Sequence, residues 1–229
     1  MIKASFHNHT SSDPNDPIRY SNEDLIDRAA EQGFGILSIT CHNKFVFSEK
    51  LRSYAQEKNI LLIPGIEISI RNRHVLILGA TQETEKIHSF KYLRKYRNEH
   101  PECFIMANHP YFPGLNMFHD LVLKNIDCFD AVELSWWYSR LLNFNRRAKK
   151  LNLPMVGTSD THFMKFHGIT HCEIETAGKN QKAIFASIRA RKFRNVTRPI
   201  SIWLMMLMPF IAIRDKTWLI LQKIKSAIK

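Results

Sequence analysis

Short apolar runs in this chain end, one after another, in a histidine or an acid. Residues 2–6 lead into His7-Asn8-His9, and FGILSIT leads into Cys41-His42. ILLIP turns at Pro64-Gly65 into a second apolar stretch that holds Glu67; HVLILG opens on His74. CFIMAN runs into His109, and PMVGTSDTH ends in Asp160 and His162. Amphipathic segments lie between these runs. SNEDLIDRAAEQG reads as a helix, with Ser21 as cap, Asp24 completing a capping box, Leu25, Ile26 and Ala29 as the buried stripe, and Gly33 as the stop. SEKLRSYAQEKN, ETEKIHSFKYLRKYRNEH, FHDLVLKNI, SRLLNFNRRAKKLN and KNQKAIFASIRARK read as further helices, FDAVELSWW and HCEIET as further strands. Repeated strand-then-helix units predict an α/β chain with a parallel sheet and helices outside, and about seven units predict a closed (β/α) barrel. Barrels of this type do their chemistry at the carboxyl ends of the strands. His7, His9, His42, Glu67, His109, Asp160 and His162 fall there, and core histidines would not be expected to end strand after strand.

Residues i and i+2 of an extended strand share a face. His7 and His9 can therefore grip one ion, and Asp160 with His162 repeats that logic. Taken singly, each piece has a plainer reading. HxH suits an exposed edge, Asp13 beside Pro14 suits a turn or cap, His42 suits a buried imidazole bonded to backbone, and Glu67 suits an edge strand. Together they supply five to six imidazoles and two or three carboxylates, more than one ion needs. Mixed nitrogen and oxygen ligation suits zinc, manganese or iron, so two or three divalent ions are the expected cofactors. Paired ions of this kind stabilise in-line phosphoryl displacement. Glu133 reads as an acid behind a ligand or as a buried hydrogen-bonded one. Trp136 and Trp137 read as a stacking pair or as packing, and His167 and His171 as surface or mouth residues.

The ordered set HxH…D, TxH, GIE, a lone His, HP and SDxH resembles the PHP (polymerase and histidinol phosphatase) domain family over residues 1–195. That resemblance implies a distorted seven-stranded barrel with a trinuclear metal site that hydrolyses phosphoesters through a metal-bound hydroxide. It is closest to small members that act on nucleotides and on 5′ ends of short oligonucleotides, with histidinol phosphate and phosphotyrosine as rival substrates. By motif, His7, His9, Glu67 and Asp160 would serve one ion and form the catalytic set. Asp13, His42 and His162 would serve a second, and Glu67 would bridge to a third held by His74 and His109. The chain departs from the family in reading Thr40-Cys41-His42 where the family reads TDH. Its spacing from HxH to Asp13 is one residue shorter, and an insertion domain typical of the nucleotide-acting members is absent.

Charge divides the chain. The net charge is +12, and residues 179–229 hold twelve Lys and Arg against the single acid Asp215. Residues 1–196 therefore read as the metallophosphoesterase barrel and 197–229 as a basic, hydrophobic helical tail. Residues 200–213 are nearly all apolar but too few to span a bilayer. Trp218, Leu221, Ile224 and Ile228 share one helical face among lysines, which reads as an anchor lying on a membrane surface through residues 199–229. A helix capping the barrel, a dimer contact, and nucleic-acid binding by residues 189–198 are the other readings of this end; a membrane-bound metal module without turnover is the rival to an enzyme. No protein partner is inferable. The start lacks the apolar core of a signal peptide, and four scattered cysteines read as reduced thiols, so a cytoplasmic location is expected, with the inner membrane face as its peripheral variant.

Overall fold

The computed structural model describes residues 1–112, 118, 120–208, 210 and 217. Among the described residues, ten strands form two five-stranded sheets. The first contains β1 (Ile2–Ser5), β2 (Ile36–Leu37), β3 (Leu61–Leu62), β9 (Thr170–Ile174) and β10 (Phe193–Thr197), in the order β10-β9-β1-β2-β3. The second runs β4 (Gly65–Ile70), β5 (Arg73–Leu78), β6 (Phe104–Ala107), β7 (Ala131–Ser135) and β8 (Met155–Thr158) in chain order. The expected seven-stranded closed barrel is corrected here: among the described residues no ladder joins the two sheets. Pairing direction also departs from a pure βα repeat: β4 and β5 form an antiparallel hairpin, β5 and β6 are antiparallel, and β9 runs antiparallel to both β1 and β10, the last across an intervening helix. Arg71 and Asn72 both adopt positive φ, as a two-residue hairpin turn requires. Parallel pairing is kept in β1-β2-β3 and in β6-β7-β8.

The sheets nevertheless enclose a common interior. Ala4, Phe6, Ile36 and Ile63 meet Leu76, Leu78, Phe104, Met106 and Val156 in one cluster, and α6 (Gln181–Arg189) adds Ile184, Phe185 and Ile188. Alternation sorts β5 cleanly: Leu76 and Leu78 face that interior, while Val75 and Ile77 face an outer layer with α3 (Phe90–Glu99). The other outer layer packs α1 (Asn22–Glu31) and α2 (Glu49–Glu57) on β2 and β3. The Ser21–Asp24 capping box and the Leu25, Ile26, Ala29 stripe are present in α1. The long helix expected over 83–100 is broken: Ser89 caps a new helix at Tyr92 N after a short turn of 3-10 helix. The helix expected over 139–152 shrinks to α5 (Asn145–Ala148) and one turn of 3-10 helix.

The two seams between the sheets hold single bridges rather than ladders. At one, His42 pairs with Glu67, and Glu67 N donates to Cys41 O at 3.3 Å. At the other, Asn8 pairs with Thr161, and His9 N donates to Thr161 O at 3.1 Å. Farther along this second seam the Asn195 amide stands in for a strand. Its Oδ1 accepts from Gly157 N at 2.7 Å and its Nδ2 donates to Met155 O at 2.8 Å. A Cβ on Gly157 would lie 2.9 Å from both Asn195 Oδ1 and the His171 carbonyl oxygen.

His167 and His171 do not line the site. His167 Nδ1 is 2.6 Å from Gln32 Oε1, and both rings lie against Phe34. Burial holds His167 down to about 3. Residues 202–208 are helical, and Ile200 and Met205 bury against Trp136, just beyond the carboxyl end of β7. The tail readings that fall on residues 211–216 and 218–229 lie outside the described residues. No helix among the described residues is long and apolar enough to cross a membrane.

Gly157→Ala is expected to cost at least about 1–3 kcal/mol through overpacking against a backbone oxygen. Thermal unfolding of the purified variant checks it. An unchanged midpoint would mean that the seam between β8 and the β9–β10 pair yields freely.

Candidate metal centre

Glu67 is the focus of the site. It lies on β4 between Ile66 and Ile68, which face the outer layer, so alternation turns its carboxylate inward. It is 1% exposed. His7 Nε2 lies 3.2 Å from its Oε1, His9 Nε2 lies 3.4 Å from its Oε2, and His42 Nε2 lies 3.0 Å from Oε2. His74 Nδ1 and His109 Nε2 approach Oε1 at 3.2 and 3.7 Å. The β4–β5 hairpin explains His74: Glu67 pairs with Leu76, so His74 is its diagonal neighbour on the same face.

Four donor groups face one another. His7 Nε2 and His9 Nε2 are 3.1 Å apart, and Asp160 Oδ1 lies 3.2 and 3.3 Å from them. Glu67 faces the same two nitrogens from its own side, through Oε1 to His7 and Oε2 to His9, and His7, His9 and Glu67 converge as a ligand-like group. The ring nitrogens are oriented for this. His7 Nδ1 is 2.8 Å from Glu133 Oε1, and His9 Nδ1 is 2.8 Å from Asp13 Oδ2. A carboxylate behind each Nδ1 fixes that nitrogen as the donor and leaves the Nε2 lone pair facing inward. Glu67 Oε2 and Asp160 Oδ1 are buried without a hydrogen-bond donor among the described residues. A divalent cation fits this donor set: it satisfies both oxygens and separates two lone pairs that otherwise confront each other.

The remaining nominated residues surround these four groups. Asp13 Oδ2 also accepts from His42 N at 2.8 Å and faces His42 Nδ1 at 2.9 Å. His162 Nε2 is 3.1 Å from Asp16 Oδ2, which is 3.5 Å from His42 Nδ1. His9, His42 and His162 converge as one ligand-like group, Asp13, Asp16 and His42 as another, and His42, Glu67 and His74 as a third. Burial opposes ionisation throughout. Even so, Asp160, Glu67 and Glu133 lift His7 well above its ordinary range, and His7, His74 and His42 hold Glu67 well below its own. Burial likewise lowers His162, but Asp160 and Asp16 lift it to about 9. His9 is the exception, held below its ordinary range by burial and by His162 and His42 beside it.

Sequence reasoning missed Asp16, Asn108 and the placement of Glu133. Asn108 Nδ2 donates to Glu67 Oε1 at 2.7 Å. Asp16 was signalled by its spacing of three residues from Asp13 within one turn. Glu133 is fully buried; it accepts from the Thr158 hydroxyl and, through Oε2, from His109 N at 2.5 Å. His109 and Asp160 have φ of 28° and 43°, the left-handed region that non-glycine residues rarely adopt. Such strain costs of order 1–3 kcal/mol each and is held by surrounding structure. Cys41 is no ligand: its side chain belongs to the apolar layer with Leu25, Leu37 and Leu51, and burial pushes its thiol up to about 11. Trp136 packs, whereas Trp137 is half-exposed near His109.

The comparisons agree with this architecture. Residues 144–193 match the PHP-associated family model. No curated protein matches the chain in sequence. Among solved structures, the fold resembles a two-domain protein from Bacteroides vulgatus containing a predicted PHP-like metal-dependent phosphoesterase: TM-score 0.65, 20% identity, 86% of this chain and 65% of that one. It resembles PsfC from Pseudomonas syringae with TM-score 0.62 at 14% identity, over 95% of this chain and all of that one. It resembles the lesion-specific endonuclease Q of Pyrococcus furiosus with TM-score 0.63 at 12% identity, over 82% of this chain and 56% of that one. Endonuclease Q bound to a 27-mer duplex with an abasic lesion at its active site is also similar, with TM-score 0.61 at 12% identity, over 86% of this chain and 60% of that one. The chain spans just under two thirds of the Bacteroides protein and little more than half of the endonuclease. It has the fold of the PHP-like metal-dependent phosphoesterases.

Glu133→Gln places an amide N–H against the His109 N–H or the Thr158 hydroxyl and weakens the hold on His7. A 10- to 100-fold loss of metal affinity is expected, as for other groups behind a ligand. Chelator-competition titration reads it, with apoprotein unfolding as the control for folding. Unchanged affinity would reduce Glu133 to a buried structural acid.

Proposed function

We propose that this chain is a divalent-metal-dependent phosphoesterase acting on nucleotides or on 5′ ends of short oligonucleotides. The observation that carries the reading is the convergence of His7 and His9 on Glu67 and Asp160, with both imidazoles held by carboxylates behind them. Two or three ions of manganese, zinc or iron fit the surrounding groups, with Asp13, Asp16, His42 and His162 on one side and His74 and His109 on the other. Bound there, such ions polarise a phosphoryl group and acidify water. The chain's own residues do the positioning. His7, His9, Glu67 and Asp160 form the inner set, and Glu133 and Asp13 lock the two imidazoles in one tautomer. No side chain is required as nucleophile, and the one nearby thiol, Cys41, is buried and protonated at neutral pH. Nucleic acid as substrate class is supported by the likeness to duplex-bound endonuclease Q and by the basic end of the chain.

Elemental analysis and phosphate release, run together on wild type and on His7→Ala/His9→Ala, test the enzyme. Wild type is expected to hold at least two ions per chain, to lose activity to a chelator and to regain it with manganese. The double variant should lose metal and at least about 100-fold in rate, since removing ligands removes several kcal/mol of transition-state stabilisation. A metal-replete wild type inert on nucleotides, oligonucleotides, histidinol phosphate and phosphotyrosine would refute the proposal.

A lipid surface as partner of the tail rests on a separate observation. Trp203, Met206, Leu207 and Phe210, at helical spacing, are 52–78% exposed while the opposite face packs on Trp136. An apolar stripe beside a strongly basic segment suits anionic headgroups. The full chain should sediment with phosphatidylserine vesicles at low salt and much less with phosphatidylcholine, and Trp203→Ser/Phe210→Ser should weaken that binding. No binding to anionic vesicles at low salt would dismiss the membrane and leave the stripe to another partner.

A further inference from the structure

Asn108 brings an uncharged amide into the middle of the ligand cluster. It follows directly on β6, where Phe104 and Met106 face the interior and Ile105 and Ala107 the outer layer. Alternation therefore turns Asn108 inward, one step beyond Met106. Its backbone N donates to His74 O at 3.1 Å, which carries the β5–β6 pairing on to the ligand-bearing end. The side chain is fully buried. Its Nδ2 donates to Glu67 Oε1 at 2.7 Å and lies 3.5 Å from His7 Nε2, and those two atoms are themselves 3.2 Å apart. The amide head thus takes a corner among donor atoms of His7, His9, Glu67 and Asp160 that stand 3.1 to 3.4 Å from one another. At its other end, Oδ1 is buried and meets no hydrogen-bond donor among the described residues. A buried amide oxygen left in that state has given up its hydration for nothing.

We propose, on the metal-dependent reading above, that Asn108 is a further ligand of the ion held between His7 and Glu67. It binds through Oδ1 and biases that site towards manganese over zinc. The two ends of an amide are electrically opposite, and a half-turn about the Cβ–Cγ bond exchanges them. A carboxylate oxygen and an imidazole lone pair by themselves call for the N–H. A cation between them reverses that preference, because it repels the N–H and attracts the carbonyl oxygen. Oδ1 then gains the partner that it lacks. It joins two imidazole nitrogens and two carboxylates as a fifth donor, and it is the third oxygen. Zinc takes four ligands in most of its sites, whereas carbonyl and carboxylate oxygens in larger number suit manganese. Because the amide is neutral, it enlarges the ligand set without adding a further charge to a buried cluster.

The test reads metal affinity. Manganese and zinc are each titrated against a chelator in the full chain, as wild type, Asn108→Ala and Asn108→Asp. Circular dichroism and thermal unfolding of each apoprotein control for folding. In Asn108→Ala, manganese affinity should fall about tenfold or more and zinc affinity much less, so the manganese-to-zinc ratio drops. Asn108→Asp keeps an oxygen at that corner and should hold the ratio at or above the wild-type value. Visible absorption of the cobalt-substituted protein should strengthen in Asn108→Ala, as the coordination number falls to four. An equal loss of both metals in Asn108→Ala overturns the assignment, since Asn108 would then serve only as an N–H donor to Glu67. Affinities unchanged in Asn108→Ala overturn it as well. If the alanine variant does not fold, Asn108→Asp decides, and a ratio below wild type counts against the ligand. A wild type that binds neither metal sinks the metal-dependent reading and this ligand with it. Metal binding with the expected ratios but without phosphoester turnover supports the ligand and refutes only the enzyme.

Discussion

A single buried carboxylate governs this structure. Glu67 is sealed inside because its neighbours Ile66 and Ile68 claim the outer face of β4. An ionised group in that position costs several kcal/mol unless other charges and hydrogen bonds meet it. His7, His42, His74, His109 and Asn108 meet it, and they come from both sheets and from separate strand ends. Balancing one charge therefore ties together segments more than a hundred residues apart. The same convergence leaves Glu67 and Asp160 each with a buried oxygen that meets no hydrogen-bond donor among the described residues, a deficit that a divalent cation would fill.

That dependence explains how the sheets can leave their seams unladdered. Only isolated bridges cross between them, and both bridges fall at ligand-bearing segments: His42 with Glu67, and Asn8 between His7 and His9 with Thr161 between Asp160 and His162. Where a ladder would hold strands at fixed register, the side chains of the cluster do so instead. The left-handed backbone at His109 and Asp160 fits this picture. Each residue is bent out of its strand to turn inward, and Glu133 restrains one of them by accepting its N–H. An ion there would replace some of that restraint with coordination, so binding and folding free energy are joined.

Much of this was legible in the sequence for identifiable reasons. The capping box at Ser21 and Asp24 is a local pattern with local causes, and α1 begins where it says. Histidines at the ends of apolar runs mark positions that the strands alone determine, and all nine nominated residues lie in one cluster. Strand pairing direction is different, because periodicity records which face a residue takes and not which neighbour it pairs with. The Arg71-Asn72 turn lacks the glycine that marks a hairpin, so β4 and β5 read as two separate strands. β10 was missed because FRNVT is basic and polar, and it is a strand only because β9 offers it an edge. Glu133 could not be assigned because its partner His7 is 126 residues away. Asp16 shares its turn with Asp13, and nothing in the sequence ranks one of these acids above the other.

One strand carries three separate demands. β7 presents Glu133 to His7 and His109, then Ser135 to the clamp of Asn145, and the next two residues diverge. Trp136 turns into the cluster that seats Ile200 and Met205, stacking on Phe166 at 5.0 Å, while Trp137 meets Phe112 at 4.6 Å. The helix at 202–208 and the rings beside His109 thus meet at the single peptide unit that joins Trp136 to Trp137. Neighbouring residues in a well-packed rim cannot shift independently, so the carboxyl end of β7 has to satisfy the buried acid, the clamp and both aromatic contacts at once.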